Sequence, residues 1–171
     1  MNVRLGSAAD REASVEVERL AFGGPIEPAI VERVRDQEGA FALVAEDEGE
    51  IVGHVQFSRA WVGELPVVAL GPIGVRPDRQ HEGVGSALIA EGLEEARRRG
   101  EPAVIVLGDP AFYGPRGFIA AAEFGLRNPF AEVEEEGFVI GEEDFRVAVL
   151  GDPAPVLDGE VRWDPAFYEA G

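Results

Sequence analysis

The sequence predicts an α/β fold: a mixed, mostly antiparallel sheet with helices on both faces. Three observations carry this. Residues 40–46 and 51–58 are strand-like runs joined by Asp47-Glu48-Gly49-Glu50, which reads as a hairpin. Residues 84–99 carry the clearest helical period, with Gly85, Leu88, Ile89, Gly92, Leu93 and Ala96 on one face. Residues 67–75 and 103–107 flank that helix, and Ala103-Val104-Ile105-Val106-Leu107 is apolar throughout, as in a strand buried on both faces. Strand, helix and strand make a right-handed βαβ unit, which sets one parallel pair into an otherwise antiparallel sheet.

Taken in order, residues 2–5 alternate and read as a first strand. Ser7 can cap a helix over about 8–22, with Asp10 and Glu12 in its first turns, where negative charge suits the dipole. Gly23-Gly24-Pro25 breaks it, and a second helix runs over about 27–37. In the hairpin, Ile51, Val55 and Phe57 share one face, and Val52, His54, Gln56 and Ser58 the other. The strand at 67–75 is flawed. Pro72 donates no hydrogen bond, and Gly71 and Gly74 weaken the ladder, so a bulge or a splayed section is expected. On the helix at 84–99, Glu91, Glu94 and Glu95 point outward, Arg97-Arg98-Arg99 suit the C-terminal dipole, and Gly100 closes it. Residues 118–126 and 138–149 are expected as strands on either side of an acidic stretch with Glu132, Glu134, Glu135 and Glu136. Residues 1–150 form the domain, and the Pro-, Asp- and aromatic-rich tail 151–171 packs on it.

Bulk properties exclude much. A chain of 171 residues is long enough for one domain with its own core. It has no cysteine, which rules out disulfides, thiolate metal sites and a cysteine nucleophile. All 15 basic residues are arginine, so lysine Schiff bases and a P-loop lysine are also excluded. With 33 acidic residues the net charge is −18, which argues against nucleic acid or an anionic membrane as a partner and suits a cationic or amine-bearing small substrate, a solubility role being the plainer explanation. An anionic cofactor would need locally placed donors. No apolar run approaches the ~18 residues of a membrane span. Met1-Asn2-Val3-Arg4-Leu5-Gly6 has no signal-peptide core, so the expected compartment is the cytoplasm.

The most informative stretch runs from Val75 to Leu88. An apolar strand ends, a polar turn follows, and Gly83 and Gly85 open a helix. Free N–H groups at a helix start, with no Cβ atoms in the way, favour a phosphate. Gly83-Val84-Gly85-Ser86-Ala87-Leu88 is not a Rossmann fingerprint, and without lysine it is not a Walker A motif. A glycine-rich helix start that packs tightly on a strand is the plainer alternative.

Gln80-His81-Glu82-Gly83-Val84-Gly85 fills [RQ]-x-x-G-x-[GA] at a strand-to-helix junction, and Tyr113 stands four residues before Gly117-Phe118. In this order the two motifs resemble the GNAT superfamily of N-acetyltransferases. The likeness is closest to its small bacterial predicted acetyltransferases, through Leu70-Gly71-Pro72-Ile73-Gly74-Val75, the loop from Gly108 to Tyr113 and the tail from Val161 to Tyr168. The resemblance implies that strand 67–75 splays from strand 103–107 and that the gap takes the pantetheine arm of acetyl-CoA. The backbone of Ile73, Gly74 and Val75 would pair with its amides. The pyrophosphate would sit on the loop and first helical turn formed by Gln80, His81, Glu82, Gly83, Val84, Gly85 and Ser86. Arg79 would be the nearest cation, or else a solvated turn arginine.

Tyr113 is the expected catalytic residue, a phenol that protonates the leaving thiolate; the alternative is a core tyrosine closing the loop, with Phe112 packing beside it. Many family members carry an asparagine seven residues earlier, where this chain has Val106, with Asp109 nearby. Strand 67–75 holds no carboxylate, so no general base is evident there. His54 shares a strand face with Gln56 and is a candidate, Glu64 and Asp109 are weaker ones, and water could serve instead. The resemblance implies acetyl transfer from acetyl-CoA to an amine by direct attack in a ternary complex, with no metal. Two other classes stay open: an acyl-CoA sensor without turnover, and a structural homodimer using the aromatic tail.

Overall fold

The computed structural model describes residues 1–131, 134–135 and 138–169. Its main sheet runs β1 (Asn2–Leu5), β2 (Phe41–Asp47), β3 (Glu50–Val62), β4 (Leu65–Val75), β5 (Ala103–Leu107), β9 (Phe145–Val149) and β6 (Ile119–Ala120). A short strand from the tail, β10 (Val161–Arg162), adds to β3. Every neighbouring pair is antiparallel except β4 and β5. The expected mixed, mostly antiparallel α/β sheet with one parallel pair is therefore the observed one.

Helix α3 (Val84–Arg98) lies on one face. Its Val84, Leu88, Ile89, Leu93 and Ala96 are buried against Phe41, Leu43, Val55, Phe57 and Val104. The α3 seam is set by close approach: a Cβ on Gly92 would stand 2.5 Å from the Phe57 ring, so only glycine lets the helix settle there. Helices α1 (Arg11–Phe22) and α2 (Ile26–Val34) belong to the segment between β1 and β2 and place Val17, Val31 and Val34 in the interior. A second apolar cluster gathers Ile105, Phe145, Val147, Leu126 and Trp163. The tail thus supplies a core side chain, Trp163, as well as a strand.

Several expectations need correction. Val52 joins the same core cluster as Val55 and Phe57. The register slips beside it: Ala45 pairs with Gly53 but Glu46 with Ile51, so a bulge leaves Val52 as the extra residue and interrupts alternation. Glu95 does not point out to solvent. It is buried at 8% exposure and receives Arg98 and Arg99, each at 2.9 Å. The first turn after Ser7 is a 3₁₀ turn, Ala8–Asp10, before α1 proper, and the cap runs through Asp10, whose carboxylate accepts the Ser7 N–H at 2.8 Å. The second helix stops at Val34 rather than residue 37.

The runs expected as two long strands are broken. Only Ile119–Ala120 pairs with β9, because a 3₁₀ turn, Ala121–Phe124, follows at once and closes on left-handed Gly125. Phe138–Val139 (β8) pairs with Glu134–Glu135 (β7) in a separate hairpin, and a turn at Glu142–Asp144 divides β8 from β9. Asp144 forms that turn by accepting the Gly141 N–H at 2.9 Å. Glu132 and Glu136 lie outside the described residues.

The flaw in β4 sets up the site. Its partnership with β5 consists of Val68 with Val104 and Ala69 with Ile105, and then stops. On the other side β4 stays paired with β3 as far as Val75, with a register shift where Gly71 and Pro72 face β3. The two parallel strands therefore part company, and the β5-facing edge of Ile73–Val75 lacks a strand partner among the described residues.

Candidate functional site

The loop between β4 and α3 is shaped by two left-handed residues, His81 (φ 65°) and Gly83 (φ 86°). Gly83 is the N-cap of α3, so the N–H groups of Val84, Gly85 and Ser86 begin the helix without intrahelical acceptors. Gln80 holds the loop by donating its side-chain amide to the Val75 carbonyl at 3.0 Å. That bond ties the loop back to the end of β4. A Cβ on Gly85 would meet only Phe112 and Val75, both at 3.9 Å. Internal packing does not require glycine there, so the space it leaves belongs to the cavity beside it.

That cavity has a volume of about 640 Å³. Every cofactor-binding residue expected from the sequence lines it except Glu82: Ile73, Gly74 and Val75 from β4, then Arg79, Gln80, His81, Gly83, Val84, Gly85 and Ser86. Sequence reasoning missed four further lining residues, Ala21 and Phe22 at the end of α1 and Phe112 and Arg116. The splayed strand edge, the loop and the helix start thus converge on one space.

Its electrostatics are local. Arg79 is already engaged, with Asp47 at 2.8 Å and Glu82 at 2.7 Å. Glu82 commits its carboxylate to Arg79 and does not line the cavity. Arg116 makes no ion pair among the described residues. It donates to Ser86 Oγ at 2.5 Å and to the Phe112 carbonyl, and lies 3.9 Å from the Phe112 ring centroid. In a strongly acidic chain, an uncompensated guanidinium at a helix start favours an anion. The available signal was its position one residue before Gly117, inside the second motif.

Tyr113 sits in α4 (Pro110–Tyr113), a single turn that Asp109 caps by accepting the Ala111 N–H at 2.9 Å. Asp109 is thereby a capping residue. The Tyr113 ring packs edge-on between Phe112 and Phe118, against the bare Cα of Gly108, and is 6% exposed. Unlike Phe112, it is not one of the residues lining the cavity. Its hydroxyl makes no hydrogen bond among the described residues, yet it is not one of the sealed, unpartnered polar atoms. Burial pushes the phenol up to about 12, so it keeps its proton at neutral pH.

His54 is buried and does not line this cavity; it lines a smaller one of about 250 Å³ with Gln56, Arg11, Arg35 and Arg99. Its Nδ1 meets Glu18 Oε1 at 2.6 Å, and Glu18 is 0% exposed. The expectation that His54 shares a face with Gln56 is met, but its partner from α1 went unnoticed. Glu64 is exposed in the turn between β3 and β4. Among the described residues, no group of three His, Asp or Glu gathers as a metal site.

Comparison with known proteins places this geometry among relatives. Residues 12–118 match the model of the Acetyltransferase (GNAT) family. The chain is 38% identical over 128 residues to the uncharacterized N-acetyltransferase YjhQ of Escherichia coli K12, covering 70% of this chain and 71% of that one. It is 33% identical over 132 residues to the uncharacterized N-acetyltransferase YhbS of the same organism, covering 74% and 78%. The crystal structure of E. coli YhbS in complex with CoA superposes with a TM-score of 0.84 at 31% identity, covering 99% of this chain and 93% of the other. A Brucella melitensis GNAT family acetyltransferase in complex with acetyl-CoA superposes at 0.74 with 28% identity, covering 97% of each. No helix among the described residues is long and apolar enough to cross a membrane.

Proposed function

Because the chain belongs to the GNAT acetyltransferase family, we propose that it moves an acetyl group from acetyl-CoA to a primary amine of a small molecule or peptide, by direct attack in a ternary complex. The observation that carries this reading is the convergence of the unpaired β4 edge, the Gln80–Ser86 loop and Arg116 on one cavity. The edge of Ile73–Val75 offers backbone groups to the amides of the pantetheine arm, as a sheet edge accepts an added strand. The N–H groups of Val84, Gly85 and Ser86, together with Arg116, take the pyrophosphate. The complexes of YhbS with CoA and of the Brucella enzyme with acetyl-CoA support the choice of donor.

In this reading the amine nitrogen attacks the thioester carbonyl, the C–S bond breaks, and Tyr113 gives its proton to the departing thiolate. Burial keeps that proton in place until charge develops on sulfur. Phe112, which packs edge-on against the Tyr113 ring, lines the cavity, so the phenol would approach the sulfur from beside it. The acid excess of the chain favours an acceptor that carries positive charge.

The buried position of Tyr113 also favours a second reading, an acyl-CoA sensor that binds without turnover. Calorimetric titration with acetyl-CoA, followed by a thiol-release assay over polyamines, amino acids, peptides and lysine side chains, separates the two. Saturable binding with amine-dependent release of CoA is expected. Binding with no release on any amine class would favour the sensor.

A further inference from the structure

We propose that Glu18, held by His54, accepts the proton that the acceptor amine gives up during acetyl transfer. The inference rests on the function proposed above and supplies the one role left without a residue, since β4 carries no carboxylate from Leu65 to Val75.

The geometry is specific. Glu18 lies on α1 one turn before Ala21 and Phe22, so all three share a stripe of the helix, and the latter two line the cofactor cavity. Across from that stripe is Gly74, another lining residue. A Cβ on Gly74 would stand 2.6 Å from Glu18 Oε2 and 3.2 Å from the Ala21 methyl. The carboxylate thus occupies the place a side chain at position 74 would take, beside a residue that lines the cavity. Glu18 Oε1 is held by His54 at 2.6 Å, while Oε2 is buried with no hydrogen-bond partner among the described residues. A buried acceptor left alone is costly, and Oε2 is the oxygen of this carboxylate left free to take a proton. With Glu18 ionised, His54 donates from Nδ1, which fixes the carboxylate's orientation; His54 is a positioning residue.

The step balances. The amine nitrogen forms a bond to the acetyl carbon and the C–S bond breaks. The N–H electron pair stays on nitrogen while its proton passes to Oε2, and the thiolate takes its proton from Tyr113. Tyr113 regains a proton from solvent and Glu18 loses one to solvent as products leave. Burial raises the proton affinity of Glu18 and nearby Glu27 adds to this, while donation from His54 opposes both. The other charged groups near the pair are Arg11, Arg35 and Arg99, which line the smaller cavity that reaches His54.

The test is the pH profile of acetyl-CoA-dependent thiol release from about pH 6 to 10, on the best amine of the panel. Glu18→Gln is expected to lower kcat/KM by about 10²–10³-fold and to flatten the acid limb to the part set by the amine's own ionisation, with acetyl-CoA affinity by calorimetry unchanged within about twofold. His54→Gln keeps the carboxylate but removes a strong donor, so its acid limb should move to higher pH. A folded Glu18→Gln protein that keeps at least a third of the wild-type rate and its acid limb overturns the proposal. If that variant does not fold, a His54→Gln protein with the acid limb unmoved overturns it. A wild type that releases no thiol on any amine overturns the parent reading instead.

Discussion

Arg116 bonds Ser86: its guanidinium donates to the Ser86 hydroxyl at 2.5 Å and so joins the loop after β5 to the first turn of α3. The cavity between the splayed strands is therefore closed at one side by a cation that no carboxylate neutralises among the described residues. Arg79, on the loop itself, is already matched by Asp47 and Glu82. The two arginines should differ in what they contribute to the cofactor. Arg116→Ala is expected to weaken acetyl-CoA binding by about tenfold, the scale of one charge-assisted hydrogen bond. Arg79→Ala should change it by less than about threefold. Calorimetric titration of both variants decides, and equal losses would remove the distinction.

Gly85→Asp should abolish acetyl-CoA binding, with a loss of about a hundredfold or more. The new side chain would enter the cavity at the first turn of α3 and place negative charge where the dipole favours an anion. Gly85 is the better probe than Gly83, whose left-handed φ of 86° would add backbone strain to any substitution. Wild-type affinity in folded Gly85→Asp would refute the phosphate seat.

Tyr113→Phe should lower kcat by about 10²–10⁴-fold while the KM for acetyl-CoA stays within about twofold. The phenol, pushed up to about 12, remains protonated through the assay range. Wild-type activity should therefore show no alkaline decline from this group below about pH 11. Unchanged turnover in the phenylalanine variant would leave Tyr113 as a packing residue between Phe112 and Phe118.

The Arg4–Asp10 pair anchors the start of the first helical segment to β1. Arg4 donates to both Asp10 oxygens, at 2.7 and 2.9 Å, and holds the carboxyl well below its usual range. A lowered carboxyl gives stability that is present above the unfolded pKa and lost as pH falls through the folded one. Asp10→Asn should thus cost about 1 kcal/mol at pH 7, since Arg4 is partly exposed, and progressively less as the pH drops below about 4. Thermal unfolding at pH 7 and pH 3 measures the difference. A penalty that does not shrink in acid would contradict the assignment.

What could be read without coordinates followed periodicity and local chemistry. The period through Leu88, Ile89, Leu93 and Ala96 located α3, and the pair Gly83 and Gly85 located the loop where the cavity forms. Pro72 and Gly71 announced the irregularity of β4 because neither can sustain a regular ladder. Features that depend on distant partners were hidden. The bulge at Val52 leaves the alternating pattern intact on paper and reverses it in space. Glu95 looks like a surface residue until Arg98 and Arg99 enclose it. Glu18 and His54 are thirty-six positions apart, and only the packing of α1 over β3 and β4 brings them together. Phe112 and Arg116 became cavity walls because residues after Asp109 coil into a turn instead of running on as open loop.

The length of β3 has a further consequence. Its pairing with β2 ends at Phe57, opposite Phe41, while β3 itself continues to Val62. The overhang at Trp61 and Val62 is covered by Arg162 and Val161 of β10. The aromatic tail therefore acts as a guard over an open sheet margin, because bare strand edges template association with other chains. A version of the protein cut after residue 150 would lose Trp163 from its interior and expose a ready surface for aggregation, whatever became of its catalytic chemistry.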